Sequence, residues 1–551
     1  MKKIIIGISA AVIWLVCVII FAVVGTGGGG ADHQFTVLTV KEDAVKDYNS
    51  MPVFQQLADE TGVEVHWIYN TSTQYANNTD PVGIKGIDAI YHSGFSNLKL
   101  YDYGRRGRIV AIDKYLSSMP NFSKILDARP DIKEALKSPD GHIYSLPRVE
   151  EMGLKAYPNI LYLNKKWVEK LIDDKTIPAS FTKVGEDNKP TSEPLTKADL
   201  IDGLDLTRNQ FKDVLQKFND LDMDGDNSTT NEVPLAFVSG NWQGNESDLI
   251  ASFGIPENRD HKTILNGKVT FTIEDEKWFE AVSELADWYQ KQLIRSASFT
   301  QSESDFLARG QDGRYGAFYW WEKDTVLATD IRDDYIIVKP LIDDNTYKRY
   351  VGVSNELEVE KGACVILDAC EDKEGLLSYF DKFFEPEYSA QLNYGSIKSG
   401  AFLSEKVGGK LIPNDDHGAQ SADDFRMKNA PYGVVYLTKE VWDKSVEMES
   451  RAKLRLENLE NYVKEYTFAG VTSIPNLNYS QEQLVKLNTY ESSLANNIAS
   501  WFTRSITSGT KPTKESWLSL LNTNRDSIDA VLEINQAAYD NYLKAIGADN
   551  A

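Results

Sequence analysis

The stretch from Phe35 to Ile68 constrains the fold more than any other part of the chain. Phe35-Thr-Val-Leu-Thr-Val40 alternates apolar and polar side chains, Met51-Pro-Val-Phe-Gln-Gln-Leu-Ala-Asp59 has helical spacing, and Val63-Glu-Val-His-Trp-Ile68 alternates again. A period of two, then 3.6, then two is a βαβ opening, the signature of an α/β sheet. A further buried strand reads at Gly86-Ile-Asp-Ala-Ile-Tyr91 and runs into His92-Ser93-Gly94. That polar loop falls at the carboxyl edge of the sheet, where open α/β sheets bind ligands. Tyr91 and Ser93 are therefore loop-end candidates for ligand contact.

The same alternation continues. Ile109-Val-Ala-Ile-Asp113 is followed by a helix through Tyr115-Leu116, and the Asp140-Gly141 turn joins two short strands. A helix is expected to start in Tyr162 to Leu171, and 148–157 is the first place where the chain could cross between lobes. The polar stretch 175–200 reads as a surface insertion before a helix with Phe211, Val214, Leu215 and Phe218 on one face. Further on come a helix at 278–293, strands at 335–338 and 363–367, and a helix at 374–384. From Lys439 to Lys544 the pattern is almost wholly helical, including a charged run from Met448 to Tyr466.

At 551 residues the chain needs at least two lobes of ordinary domain size. Lys+Arg 59 against Asp+Glu 82 gives a net charge of −23, which repels nucleic acid over most of the surface. Lys2 and Lys3 precede a run from Ile4 to Val24 with no charge, followed by a glycine-rich stretch. A helix of that length spans about 30 Å, enough for a bilayer core, and the lysine pair holds its start inside. This is an export signal, expected to remain as an uncleaved membrane anchor, with cleavage and secretion as the alternative, and it puts the body outside the cytoplasm. Cys17 sits in that run behind Trp14-Leu15-Val16, where a lipobox would need a small residue. Cys364 and Cys370 cannot form a disulfide framework and read as two reduced core thiols.

The most specific chemical motif is the loop Asp220-Leu-Asp-Met-Asp-Gly-Asp-Asn-Ser-Thr-Thr-Asn-Glu232. Calcium takes six to eight oxygens, and carboxylates at alternate positions around a tight turn, closed by a late Glu, supply them. With Asp220 first, Gly225 makes the turn and Glu232 falls one residue late. With Asp222 first, Asp224 and Asp226 follow, Asn227 takes the turn and Glu232 falls one early. Carboxylates so close would repel one another without a cation.

Several segments, in this order and spacing, resemble those of the family 1 extracellular solute-binding proteins of ABC importers. They are Asn49-Ser-Met-Pro-Val-Phe54, Gly86 to Tyr91, Asp140 to Arg148, Leu161 to Trp167, Asn231 to Leu235, Gly316-Ala-Phe-Tyr-Trp-Trp321 and Gln391-Leu-Asn-Tyr-Gly395. The resemblance runs almost end to end and is to the long oligosaccharide-binding subgroup that includes relatives of the alginate receptors. It implies a two-lobed α/β fold of the periplasmic-binding-protein type II with a helical C-terminal region, and a ligand cleft between lobes that close by a hinge. The expected division is 1–34 anchor and linker, 35–157 with about 348–400 as the first lobe, and 158–347 with about 401–551 as the second. The implied function is to bind a carbohydrate or oligosaccharide outside the cell and deliver it to the permease subunits of an ABC importer, without catalysis. The resemblance also favours the second calcium register, with Asp222, Asp224, Asp226, Ser228 and Glu232 as ligands in a structural role.

Sugars present apolar C–H faces rimmed by hydroxyls, so a receptor needs aromatic platforms beside paired hydrogen-bonding groups. The resemblance places a stacking tryptophan at Trp320 or Trp321. Adjacent strand residues point to opposite faces, so one is expected in the cleft and the other in the core. Trp242, where a strand runs into a loop, is a second platform. Arg148, beside the first crossing, could hold a carboxylate or a sugar diol in two hydrogen bonds, or pair with Glu150 or Glu151. Tyr394 is a further loop-end candidate. A secreted or anchored glycoside hydrolase, or a surface sugar-sensing module, are the alternatives. The chain has no Gly-x-Ser-x-Gly, His-Glu-x-x-His or Walker motif to support the first.

Overall fold

The computed structural model describes residues 33–40, 47–78, 80–418 and 420–548. The expected anchor, with Cys17 and the glycine-rich stretch, lies outside them. Among the described residues no helix is long and apolar enough to cross a membrane.

The strands in chain order are β1 (His33–Val40), β2 (Val63–Asn70), β3 (Ala89–Tyr91), β4 (Leu146–Glu150), β5 (Ile160–Asn164), β6 (Thr182–Val184), β7 (Pro190–Pro194) and β8 (Val233–Ala236). They continue with β9 (Lys262–Leu265), β10 (Lys268–Phe271), β11 (Tyr315–Trp320), β12 (Tyr335–Val338), β13 (Val359–Ile366), β14 (Val435–Leu437) and β15 (Val471–Thr472). Six form one sheet in the order β14-β4-β13-β3-β1-β2, and four form a second in the order β12-β5-β11-β8. A small sheet, β10-β9-β15, and the hairpin β6-β7 complete the set.

In the first sheet β1 runs parallel to β2 and β3, as a βαβ opening requires, and β13 runs antiparallel between β3 and β4. Val37 packs on one face with Trp67, Tyr91 and Val435, while Leu38 packs on the other with Ile90 and Val365. The second sheet is likewise covered on both faces: Leu161, Leu163 and Tyr319 join one cluster, and Ile160, Tyr162 and Trp320 another. All residues of β5, β11 and β12 are buried. Strands covered on both faces read as continuous apolar runs rather than alternating ones.

That explains one departure from the sequence reading. The helix expected from Tyr162 is preceded by β5, and it begins only at Lys165, where the Asn164 side chain accepts from the Trp167 N–H and caps it. A second departure concerns residues after 400, expected with the second lobe. Phe402, Leu411, Val435 and Trp442 pack in the first core because β14 extends the first sheet beside β4. The C-terminal region is helical at Ser450–Tyr462, Gln481–Thr507, Lys514–Thr523 and Arg525–Ala545, interrupted by β15. Cys364 and Cys370 are buried and free.

The two sheets make two lobes. The chain passes from the first to the second between β4 and β5, returns between β12 and β13, and passes a third time between β14 and the helix Ser450–Tyr462. The first two passages are tied together: the Glu150 N–H donates to the Glu358 carbonyl and the Ser354 N–H to the Ala156 carbonyl, both at 2.9 Å.

Candidate ligand cleft

A cavity of about 370 Å³ lies where the three passages meet. Met152 and Lys155 come from the first passage and Glu358 from the second; Tyr394 and Arg426 come from the first lobe, and Trp242 and Trp321 from the second. It therefore joins residues up to 300 positions apart in the chain, which only the lobe junction brings together.

The tryptophans divide. Trp321, just past the end of β11, is half-buried, and its ring lies 5.2 Å from that of Trp242, tilted by 57°. Trp320 is 1% exposed, stacks on Phe306 at 4.5 Å and donates its indole N–H to Thr325 Oγ1 at 3.1 Å. Its other flank is closed by Gly244, where a Cβ would sit 2.0 Å from the Trp320 ring. Trp320 thus lends only an edge to the cavity and has no face free for a sugar. Gly244, at φ +65°, is a position where the close approach and the left-handed backbone both exclude a side chain.

Arg455 completes the platform. It is 2% exposed, its guanidinium lies 3.7 Å from the Trp321 ring centre, and its Nη2 donates to the Tyr157 carbonyl at 2.6 Å. Its Nε and Nη1 are buried with no protein partner. Burial lowers its pKa to about 10. Across the cavity Arg426 lies 4.4 Å over the Tyr394 ring and 5.5 Å over Tyr432, with its Nε also unpartnered. Tyr432 holds a positive φ of 54°, a left-handed conformation that bulky residues rarely adopt.

Arg148 stands behind this wall rather than in it. Its Nη2 donates to Glu150 Oε2 at 2.5 Å and to Asn393 Oδ1 at 2.8 Å, and Asn393 donates to the other Glu150 oxygen at 2.6 Å. It is Glu150 that lines the cavity. Burial alone would raise the Glu150 carboxyl, but Arg148 and Arg426 outweigh it and hold it down at about 2. Other lining charges are also matched: Arg451 pairs with Glu322 at 2.5 Å and Asp423 at 3.0 Å, and Glu303 accepts from Asn241 at 3.0 Å.

Tyr91 and Ser93 do not reach the cleft surface. Tyr91 is fully buried, with its hydroxyl donating to the Tyr432 carbonyl and accepting from the Val434 N–H at 3.1 Å. Ser93 donates to the Gly362 carbonyl at 2.7 Å. Both polar groups are spent inside the first lobe, Tyr91 on the segment that leads into β14 and Ser93 on β13. Glu150 was legible only as a partner for Arg148, which it is; Arg426, Arg455 and Tyr432 carried no signal in the sequence. Arg455 sits in a charged helical run whose lobe-facing side only the fold reveals.

The acidic loop lies apart, between the helix Arg208–Asp220 and β8. Carboxylate oxygens of Asp222, Asp224 and Glu232 lie within 4.8 Å of one another. Asp222 accepts from the Gly225 N–H at 2.6 Å and the Asn227 N–H at 3.0 Å, which folds the loop tightly around it. Glu232 is 1% exposed; one oxygen accepts from the Met223 N–H at 2.8 Å and the other is buried without a partner. Asp226 and Ser228 fall outside this trio. Asp226 caps the Ser228 N–H at 2.8 Å and binds Asn231, and the Ser228 hydroxyl meets Thr230 at 3.0 Å. The orphaned Glu232 oxygen beside two further carboxylates fits a hard cation.

A larger cavity, about 800 Å³, lies against the helix Gln481–Thr507 and contains none of the residues expected to bind ligand. Size alone would favour it. The cleft, by contrast, combines the Trp321 and Trp242 rings with unpartnered nitrogens of Arg455 and Arg426 at the junction of the lobes.

No protein-family model matches the chain. It is 28% identical over 464 residues, 82% of this chain and 79% of the relative, to the fructooligosaccharide ABC transporter substrate-binding protein FusA of Streptococcus pneumoniae. Structures of FusA superpose closely: the complex with kestose has a TM-score of 0.80 at 24% identity, and an EF-hand mutant in complex with fructo-nystose has 0.80 at 25%, each covering 93% of this chain and 99% of the other. The alginate-binding protein AlgQ2 without calcium ion shares the fold, with a TM-score of 0.66 at 15% identity over 92% of this chain and 98% of the other. In sequence and in fold the chain is similar to substrate-binding proteins of ABC transporters.

Proposed function

We propose that this protein captures a neutral oligosaccharide in the 370 Å³ cleft and hands it, unaltered, to an ABC importer. The observation that carries the reading is the set of Trp321, Trp242 and Arg455 at the lobe junction, facing Arg426 over Tyr394. Indoles meet the C–H faces of a sugar, and the unpartnered arginine nitrogens meet its hydroxyls. Carboxylates outnumber cations in the lining, with Glu150, Glu303, Glu322, Glu358, Asp423 and Glu449 against Lys155, Arg426, Arg451 and Arg455, so nothing in the cleft calls for an acidic sugar. The likeness to a fructooligosaccharide receptor agrees with this choice. Three covalent passages serve as the hinge, and ligand touching both lobes favours the closed shape that a permease can tell from the empty one.

On this reading the lobe boundaries follow the passages, with residues 401–446 in the first lobe. The segment 1–34 anchors the protein on the outer face of the membrane. The acidic loop holds a structural calcium through Asp222, Asp224 and Glu232; the EF-hand variant of the relative supports this.

Titration calorimetry with kestose and with a uronic-acid trisaccharide tests the ligand class. Kestose is expected to bind and the acidic sugar not. Trp321→Ala removes a central aromatic contact of about 2 kcal/mol, close to a 30-fold loss of affinity. Tighter binding of the acidic sugar, an unchanged affinity in Trp321→Ala, or new products after long incubation would each overturn the proposal.

A further inference from the structure

The 800 Å³ cavity has its own chemistry. Its walls are Ser96 to Leu98 of the first lobe, the segments 239–247 and 257–262 of the second, and the face of the helix Gln481–Thr507 that carries Leu487, Leu494, Ile498 and Phe502. The loop from Ser239 to Glu246 is a partition: Trp242 and Gln243 face the sugar cleft, and Ser239 and Glu246 face this cavity.

Most of the charges here are already matched. Glu257 accepts from Thr272 Oγ1 at 2.6 Å and meets His261 Nδ1 at 2.5 Å, Lys262 pairs with Glu491 at 2.7 Å, and Arg259 pairs with Glu356 at 2.8 Å. Glu246 is the exception. It is 7% exposed; one oxygen accepts from Ser239 Oγ at 2.6 Å, and the other is buried with no partner. A buried carboxyl oxygen left without a partner is costly, because its lost hydration is not replaced, so it points to a missing ligand group. Phe271, Phe299 and Phe502 supply ring surface in the same cavity, whereas Asn245, Ser247 and Asn258 beside them are held by protein partners, Asn245 by Asn241 and Asn258 by the Lys262 and Val353 carbonyls.

We infer that this cavity is a second saccharide-binding site, which takes a neutral sugar ring with a hydroxyl on Glu246 and a C–H face on the phenylalanines. A hydroxyl both donates and accepts, so it satisfies Glu246 ionised or protonated; an ammonium satisfies only the ionised form. An anion meets the uncompensated carboxyl and is repelled. A shared metal ion is not favoured, since the trio of ligand atoms that approach within 4.8 Å among the described residues is in the acidic loop. Because Ser96 to Leu98 belong to the first lobe, the site is complete only at this lobe angle, and its occupancy stabilises this arrangement of the lobes.

The inference rests on the saccharide reading of the cleft, and the test separates the two. Calorimetry of the full chain with kestose is expected to show two sites per chain, one of them accompanied by a change in tryptophan fluorescence. Ala495→Phe, on the exposed side of the helix where it lines the cavity, is expected to leave one site and the fluorescence change. Glu246→Gln, which keeps the Ser239 partner, weakens the same site about tenfold. Trp321→Ala does the reverse, sparing the site that Ala495→Phe removes. A single site in the wild type, abolished by Trp321→Ala and untouched by Ala495→Phe, overturns the second site while leaving the receptor reading intact. No binding of kestose at either place overturns both.

Discussion

At the scale of single residues, the cleft wall depends on charges that are buried in pairs. Glu150, held at about 2 against an ordinary 4.5, binds fewer protons in the folded than in the unfolded chain. Its contribution to stability is therefore complete above pH 4.5 and is lost as the pH falls toward 2. Between about pH 6 and 3 this one carboxyl accounts for a loss near 2 kcal/mol. Urea melts at several pH values check it: Glu150→Gln is less stable than wild type at neutral pH, because buried Arg148 loses its charge partner, and its stability falls less steeply with acid. Parallel pH profiles in the two proteins would refute the role. The tryptophan pair was legible as a motif, but the choice between Trp320 and Trp321 was not. Strand alternation says only that they differ, and the decision comes from Phe306 and Gly244, which close off both flanks of Trp320.

Among the elements, the acidic loop makes the sharpest prediction. Two exposed-side carboxylates and the buried orphan oxygen of Glu232 form a site whose occupation stabilises the native state alone, by about 2.7 kcal/mol at a hundredfold excess over the dissociation constant. Calcium is expected to raise the melting temperature by a few degrees, a chelator to reverse it, and Glu232→Gln to remove the response. An equal calcium response in Asp226→Asn and wild type would support the three-residue set; a full response in Glu232→Gln would exclude it. Strands that keep polar or partly exposed residues between the apolar ones were readable from the chain, as β1 with Gln34 and Thr36 and β2 with Glu64 and His66 were. The strand β5 was not, because burial on both faces erases the alternation, and its apolar run merged with the helix that follows. The helix Ser450–Tyr462 was readable, but its function was not: that Arg451 and Arg455, one turn apart, face the cleft depends on where the third passage enters the second lobe.

For the whole molecule, the two-lobed α/β architecture followed from the βαβ opening, the length and the order of the resembling segments. Which late segment belongs to which lobe did not, since β14 is three residues long and its partner β4 lies almost 300 positions earlier. A receptor of this design contracts when it is loaded. Small-angle scattering with and without kestose is expected to show a smaller radius of gyration in the bound form, and the change should vanish in Trp321→Ala at the same sugar concentration. A radius insensitive to ligand in the wild type would mean that the passages do not act as a hinge.

The strand order has a consequence for how such a chain is made. The centre of the first sheet, β13, and its edge, β14, are encoded after every strand of the second sheet, so a polypeptide emerging amino end first presents β1 to β4 with a gap that cannot be filled until Ile366 has appeared and an edge that stays open until Leu437. The second sheet, with all its strands between Ile160 and Val338, is complete long before that. Order of synthesis therefore lets the second sheet pair early while the first waits as an open half-sheet, and neither core closes until the late segments arrive, β13 and β14 for the first and the helices from Gln481 to Ala545 for the second.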